Sequence, residues 1–558
     1  MYPTTADRGA EPDHIPRSIG LPAFLRGFPA RHREWWRNRP PGLAERLVNL
    51  AGIVVAVGWL CVLFLPHAKM ICQPGPQEYN EPATWYATFL LDHGRNPYTE
   101  AELPGSALGQ GPFYNLVVLA FKPMFGTDYA AHRMVNLVFL AASLWLLVGL
   151  MQRAGAGLGI ALLSMTFYYW MCLNNIMISA RADAPGLFFF LLGLFVPWEN
   201  NYSRRSSVFG LVCALLSFQF KGYFAVAGCA TLLGTFFVRS KREACWLGVA
   251  YFALLILSLA VTSLFFPYFF IETIIGQYEG AKVNAHDDIS AMHTVMLFGR
   301  AWPYMLVMLL GFGAWLWRRQ ADRRAGRTAS ESGQEAWYAD MRYRVLGVVF
   351  LIFLALVYFY MGHNAGAYFT YHLHLLFPLM FVLTALTMTR AWQRILFGLL
   401  LMAFVMFWLN NPGGPDSTVP YHRMEQLVNA SQGEVLGIPC TTDIFARTGR
   451  RVLHDGSSMF LGFCLADNRA ARDPQAAAIV KMFDDVGREV ERKVAAREYV
   501  LVLTEFDNPM YCSEELLKKN YDQVEQIDYY TYFGHSPVRV WRPKPRQPDA
   551  GPAPGSAR

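Results

Sequence analysis

The stretch ERLVNLAGIVVAVGWLCVLFLP, residues 45–66, is an apolar run of the length needed to carry a helix across the ~30 Å hydrocarbon core of a bilayer. Runs of the same kind recur at 130–151, 157–173, 185–198, 206–221, 223–238, 246–269, 299–317, 344–361, 369–388 and 394–410. The chain has 558 residues, 54% of them hydrophobic and 15% aromatic; it is the clustering of those residues between 45 and 410, rather than their total, that marks a membrane protein. The fold class expected is an all-α polytopic membrane protein with about 11 transmembrane helices, followed by a small C-terminal α/β domain.

Residues 1–44 read as a cytoplasmic basic tail, with Arg8, Arg17, Arg26, Arg31, Arg33, Arg37 and Arg39 and no apolar run of the signal-peptide type. The formal net charge of +7 sits largely there and in short linkers: Arg153, Arg204–Arg205, Arg239–Lys241–Arg242, the arginines from 318 to 327, and Arg390–Arg394. Placing all of these in the cytoplasm satisfies the positive-inside rule and makes nucleic-acid binding an unnecessary explanation. The amino terminus is then cytoplasmic and the C-terminal domain extracytoplasmic, in a bacterial inner membrane. The apolar run Pro112–Phe125 breaks that parity; it is short and carries Lys122, so residues 67–129 are read as one outer loop with interfacial helices.

Beyond residue 410 the composition changes. Gly433–Pro439, Tyr499–Thr504, Gln526–Phe533 and Val538–Trp541 have strand character, and Ile479, Met482, Phe483, Val486, Val490 and Val494 repeat at helical spacing, giving an α/β domain over 411–542. Residues 543–558, rich in Pro, Gly and Ala, read as a disordered tail. Nine cysteines show no C-x-x-C spacing; Cys61, Cys172, Cys213, Cys229 and Cys245 are expected to be small core residues, and Cys72, Cys440, Cys464 and Cys512 to lie outside the membrane, with no pairing legible.

Ionisable residues at membrane boundaries are costly and tend to mark function. On the expected outer side stand Glu78, Glu81, Arg181, Asp183, Lys221, His363, His372 and His374. The outer loop opens QEYNEPATWYATFLLDHGRNPYTE, residues 77–100. Pro82 suits the first turn of a helix, Glu81 suits its amino end, and Gly94 suits its stop. Trp85, Tyr86, Phe89 and Leu90 would form an apolar face for the membrane surface. Glu78 is left in the link between span and helix, near the surface and free to face a pocket.

The acidic residue shortly after the first span, then Tyr86, Leu90–Leu91, Gly94 and Asn96–Pro97–Tyr98, then GQGPFYNLVVLAFKPMFG at 109–126, resembles the first outer loop of the GT-C superfamily of integral-membrane glycosyltransferases. The resemblance is to family 39 and its relatives: protein mannosyltransferases, the aminoarabinose transferase of lipid A and lipopolysaccharide-core galacturonosyltransferases. Arg181-Ala182-Asp183-Ala184, Phe220-Lys221-Gly222, and Tyr371-His372 ahead of Leu376-Phe377-Pro378 follow in the same order, so the resemblance covers residues 45–410. It implies that Glu78 is the catalytic base, or orients the acceptor, and that Arg181 and Lys221 hold the phosphate of a polyprenyl-phosphate sugar donor. Two departures stand out. Gln77-Glu78 replaces the Asp-Glu frequent in relatives, which weakens a paired carboxylate or metal there, and His372 stands where a permanently basic residue is common.

The chemistry asks for the same residue types. Attack of an acceptor hydroxyl on a sugar C1 needs a base for the proton and a stabiliser for the departing phosphate. One carboxylate with several cations suits that reaction, whereas a glycoside hydrolase wants two opposed carboxylates. The expected site is therefore Glu78 as base, with Glu81, Arg181, Asp183, Lys221, His372 and His374 binding substrate. Structural alternatives stand beside each: Glu81 as a helix cap, Arg181 and Asp183 as a mutual pair, Lys221 snorkelling to headgroups, the histidines as interfacial residues. No cofactor is certain from the sequence; a divalent cation is possible, and Asp287 and Asp288 beside His286 are the candidates for its ligands. The partners expected are the lipid-linked donor, a glycan, lipid or protein acceptor, and membrane lipid. The competing functions are a lipid-linked saccharide transporter or flippase, whose polar sites would lie at the bilayer midplane, an oligosaccharide ligase or polymerase, and a non-catalytic envelope assembly subunit.

Overall fold

The chain's apolar runs become the helices of a bundle, seen here in a computed structural model that describes residues 42–545 except 79, 104, 107–110, 175–176, 277, 280–287, 325–340, 364–373, 389, 410–415, 454–456, 506–511 and 532–533. The first helix, α1 (Leu43–Cys72), leads into an outer loop with three short helices, α2 (Glu81–Asp92), α3 (Phe113–Ala120) and α4 (Lys122–Phe125). The bundle continues with α5 (Tyr129–Arg153), α6 (Leu158–Asn174), α7 (Asp183–Glu199), α8 (Arg204–Phe220) and α9 (Val226–Gly234), the last extended by a 3-10 turn before it and a π turn after it. It closes with α10 (Lys241–Phe265), α11 (Asp288–Arg324), α12 (Met341–His363), α13 (Leu376–Thr387) and α14 (Ala391–Trp408).

Each apolar run drawn from the sequence falls on one of α1 and α5–α14. Five described segments, α1, α5, Gly222–Arg239, α10 and α14, are long and apolar enough to cross a membrane, and α6 and α13 are shorter apolar helices. Val54, Leu65, Ile256 and Leu264 stand exposed on α1 and α10, a surface that lipid tolerates and water does not. Lipid gives two apolar helices no reason to associate, so close backbone approach has to. At the α1–α6 crossing a Cβ on Gly159 would lie 2.2 Å from the Asn49 carbonyl oxygen, and the Asn49 side chain accepts the Gly159 N–H at 2.7 Å.

The two ends of the bundle carry different charges. One end gathers basic linkers and their acidic partners: Glu45 with Arg394, Arg153 with Glu199, Arg239 with Glu243. The other carries the outer loop and the C-terminal domain. The run 112–125 does not cross: α3 has 8 residues, a length of about 12 Å against a ~30 Å core. Leu116 and Met124 remain exposed on α3 and α4.

The C-terminal domain holds α15 (Thr418–Ala430), β1 (Val435–Leu436), α16 (Thr442–Arg447), α17 (Ser457–Asn468), α18 (Pro474–Ala496), β2 (Leu501–Glu505), α19 (Glu514–Asn520), β3 (Tyr521–Thr531) and β4 (Gly534–Pro543). Its sheet runs β1-β2-β4-β3, with β1 parallel to β2 and the other pairs antiparallel. Side chains alternate across a strand, so one sheet can serve two partners. Val502 and Trp541 pack against Val486, Val490 and Val494 of α18, whereas Leu501, Leu503, Val538 and Val540 turn to the other face.

That other face corrects an expectation. Trp85, Tyr86 and Leu90 of α2 are buried in one cluster with Tyr421, Met424, Ile444, Phe445 and Val452 of the domain, and Phe89 packs against it. Protein, not lipid, covers the apolar side of α2; periodicity reveals such a face but not its cover. The cysteines need a similar correction. Cys172 and Cys213 are buried, but Cys61, Cys229 and Cys245 are exposed on the bundle, and no disulfide joins any of the nine.

Candidate active site

Past α1 the chain reads Gln73-Pro74-Gly75-Pro76-Gln77-Glu78, and its two prolines offer no N–H and cannot continue a helix. Its carbonyls are met by a side chain instead. Arg133, fully buried on α5, donates from Nη1 to the Met70 and Gln73 carbonyls at 3.0 and 2.7 Å and from Nη2 to the Gly75 carbonyl at 2.8 Å. The same guanidinium pairs with Glu81 through two hydrogen bonds, 3.0 Å from Nε and 2.6 Å from Nη2. Glu81 also accepts the backbone N–H groups of Gln77 at 2.6 Å and Ala180 at 2.7 Å. Four protein donors occupy its two oxygens. Glu81, expected as a substrate ligand or a helix cap, ties the loop to α5 and to the approach of α7.

Glu78 is only 1% exposed and is held differently. It accepts from the Asn80 backbone N–H at 3.0 Å and the Asn80 amide at 2.8 Å, and Arg181 Nη1 donates to its Oε1 at 3.0 Å. Arg181 sits just before α7 in a turn fixed by the Asn136 amide, which donates to the Ser179 carbonyl and, at 2.9 Å, to that of Arg181. Arg181 Nε in turn reaches Asp183 Oδ2 at 3.1 Å. Asp183 Oδ1 accepts from Lys221 Nζ at 2.8 Å and from the Tyr223 hydroxyl at 3.1 Å. Lys221 is placed where α8 ends and the chain turns back toward α9.

A continuous chain Glu78–Arg181–Asp183–Lys221 results, alternating in sign at the domain-bearing end of the bundle. Burying one charge is prohibitive and burying a neutral set is tolerable. Asp183 bridges the two cations and fixes both. Burial pushes the Glu78 carboxyl above the usual carboxylate range; Arg181 opposes the rise and the neighbouring charge of Glu81 adds to it.

His374 approaches the same cluster from the turn that opens α13. It is 1% exposed, near enough to Asp183 and Arg300 to feel their charges, and its Nε2 has no hydrogen-bond partner among the described residues. The Tyr168 hydroxyl donates to its carbonyl at 3.0 Å, and Cys172 Sγ lies 3.8 Å from its Nδ1. His372 and Asp287 lie outside the described residues, as do the side chains of Asp288, which opens α11, and His363, which ends α12. Among the described residues no group of three or more His, Cys, Asp or Glu is arranged to hold a metal ion.

Sequence reading brought forward Glu78, Arg181, Asp183, Lys221 and His374, and the structure gathers all five. It missed Arg133, Asn80 and Tyr223. For Arg133 the signal was present: an arginine inside the apolar run 130–151 must find acceptors for its donors.

No known protein family matches the sequence, and no curated protein does. Among solved structures the chain is similar to ArnT from Cupriavidus metallidurans bound to undecaprenyl phosphate, at 12% identity and a TM-score of 0.42, over 87% of this chain and 97% of that one. It is also similar to the Archaeoglobus fulgidus oligosaccharyltransferase tethered by a disulfide to an acceptor peptide containing the NVT sequon, at 12% identity and a TM-score of 0.43, over 86% of this chain and 74% of that one. Similarity of that degree concerns overall outline, and function has to be read from the side chains.

Proposed function

We propose that this chain is a glycosyltransferase that moves a sugar from a polyprenyl-phosphate donor to an acceptor hydroxyl at the domain-bearing end of the bundle, on the outer face of a bacterial inner membrane. The observation that carries the reading is the buried Glu78–Arg181–Asp183–Lys221 chain, which joins a carboxylate of raised pKa to two cations held by one bridging acid. The motif order shared with GT-C enzymes in the sequence supports the same assignment.

The roles follow from charge. Glu78 takes the proton of the acceptor hydroxyl as its oxygen attacks C1 of the sugar. The bond from C1 to the phosphate oxygen breaks, and polyprenyl phosphate leaves with the electron pair. Arg181 and Lys221 meet that charge, in a buried setting where fixed cations act strongly. Arg181 donates to Glu78. A donor phosphate competing for that guanidinium releases the carboxylate, so the base comes free once the donor is in place. His374, with Nε2 unsatisfied, supplies a further polar contact to the donor. A transporter is disfavoured, because the buried ion pairs described here stand at the ends of the bundle and not at its middle.

The test uses purified protein in liposomes, a panel of polyprenyl-phosphate sugars and an acceptor-rich membrane extract, with release of free polyprenyl phosphate as the readout. Turnover of one donor by the wild type, lost in Glu78→Gln while donor binding persists, is the expected result. No turnover of any donor overturns the transferase reading; equal turnover in Glu78→Gln removes Glu78 from the chemistry.

A further inference from the structure

We infer that the C-terminal domain forms part of the catalytic apparatus, with Tyr529 as a positioning residue for Glu78. The inference rests on the reading of Glu78 as the base. The segment from Gln73 to Glu78 lacks two of its own donors at Pro74 and Pro76, so its course is fixed by groups from elsewhere. Arg133 takes the carbonyls on the bundle side as far as Gly75. The next carbonyl, that of Pro76, accepts from the Tyr529 hydroxyl, which comes from β3 and lies 453 positions away in the sequence. Tyr529 is fully buried and paired with Ser536 across the β3–β4 hairpin, so its hydroxyl shifts only if the hairpin does.

Tyr421 of α15 adds a second constraint. Its ring lies so close to Gly75 that a Cβ there would stand 2.5 Å from ring Cδ2. The Tyr421 hydroxyl donates to Asp443 Oδ2 and accepts from Arg447 Nη2, so the ring is locked from behind. Ser417 Oγ donates to the Gln73 side chain at 3.3 Å. The two residues before Gln77 and Glu78 are thus clamped between Arg133 and two tyrosines of the domain. A base displaced by about 1 Å loses most of its advantage, which gives a point contact at Pro76 leverage on the reaction.

Tyr529→Phe keeps the ring and removes only the donor. The expected result is a fall in kcat of about tenfold with donor KM unchanged within about twofold, and no further fall when the change is combined with Glu78→Gln. An unchanged kcat, a rise confined to KM, or the same fall in the Glu78→Gln background overturns the inference. Gly75→Ala, which presses on Tyr421, is expected to lower kcat, and adding Tyr421→Leu to restore part of it; failure of that recovery also counts against the clamp. A readout independent of activity is hydrogen exchange in detergent-solubilised protein. The Gln77 and Glu81 amides should exchange faster in Tyr529→Phe while those of α7 stay as in the wild type. If the wild type turns over no lipid-phosphate sugar, the functional reading fails, yet exchange still decides the clamp: unchanged protection at Gln77 and Glu81 overturns it.

Discussion

At the end of the bundle away from the domain, Glu45 pairs with Arg394 and the partly buried Glu199 with Arg153. At the domain-bearing end the charges are linked in series, Glu78 to Arg181 to Asp183 to Lys221. A series with an acid at one end and two cations along it can pass an incoming anion to the cations and set the acid free. The same contrast appears within a single loop: Glu81 has four protein donors and Glu78 depends on Asn80 and one arginine.

The most severe way to break the comparison is Glu78→Gln. As a general base its loss should lower turnover by about 10²–10⁴-fold, measured as polyprenyl phosphate released, with only a small change in the thermal midpoint of the solubilised protein, because Arg181 keeps Asp183 as a counter-charge and a carboxylate penalised by burial has gone. Glu81→Gln should reverse that pattern. It leaves Arg133 buried without its counter-charge, a loss of about 3–5 kcal/mol, and should appear as a large fall in thermal midpoint and folded yield. Equal stability losses in the two variants would erase the distinction between them.

What the sequence could and could not reveal divides along the same physical lines. The helices were legible because lipid imposes a length and an apolarity on each, and the failure of 112–125 to cross was legible from its length alone. Glu78, Arg181, Asp183 and Lys221 were legible because a charge at a membrane boundary is expensive and calls for a reason. Their order in one chain was not, since nothing local says that Asp183 bridges Arg181 to Lys221. The cover over α2 was equally hidden. Trp85 and Leu90 announce an apolar face, but the residues that bury it, such as Phe445, arrive hundreds of positions later with no shared pattern.

The pH profile sharpens the comparison with a smaller effect. If Glu78 is the proposed base it works only when deprotonated, and burial raises its pKa, so kcat/KM should climb with pH along an acid limb whose midpoint lies above the usual carboxylate value near ~4.3. The proposed donor, a polyprenyl-phosphate sugar, is a phosphodiester and does not titrate in that range. Arg181 holds the Glu78 pKa down, so Arg181→Gln, besides weakening donor binding, should move the limb to higher pH. A limb at the ordinary carboxylate value, or one that stays put in Arg181→Gln, would assign the titration to another group.

The smallest effect belongs to the other end of the bundle. Arg239 reaches Glu243 at 2.7 Å one helical turn on, but its side chain is 43% exposed. An exposed pair at that spacing contributes about 0.3–0.5 kcal/mol and is screened by salt. Glu243 also lies in the first turn of α10, capped by Ser240, where the helix amino terminus favours a negative charge with or without the arginine. Arg239→Gln should therefore shift the thermal midpoint by no more than a degree or two, by rough conversion of that energy, and leave turnover at the wild-type level. A loss of turnover comparable with that of the domain-end variants would mean that the two ends are coupled through the helices, and that pairs at the basic end do more than anchor them.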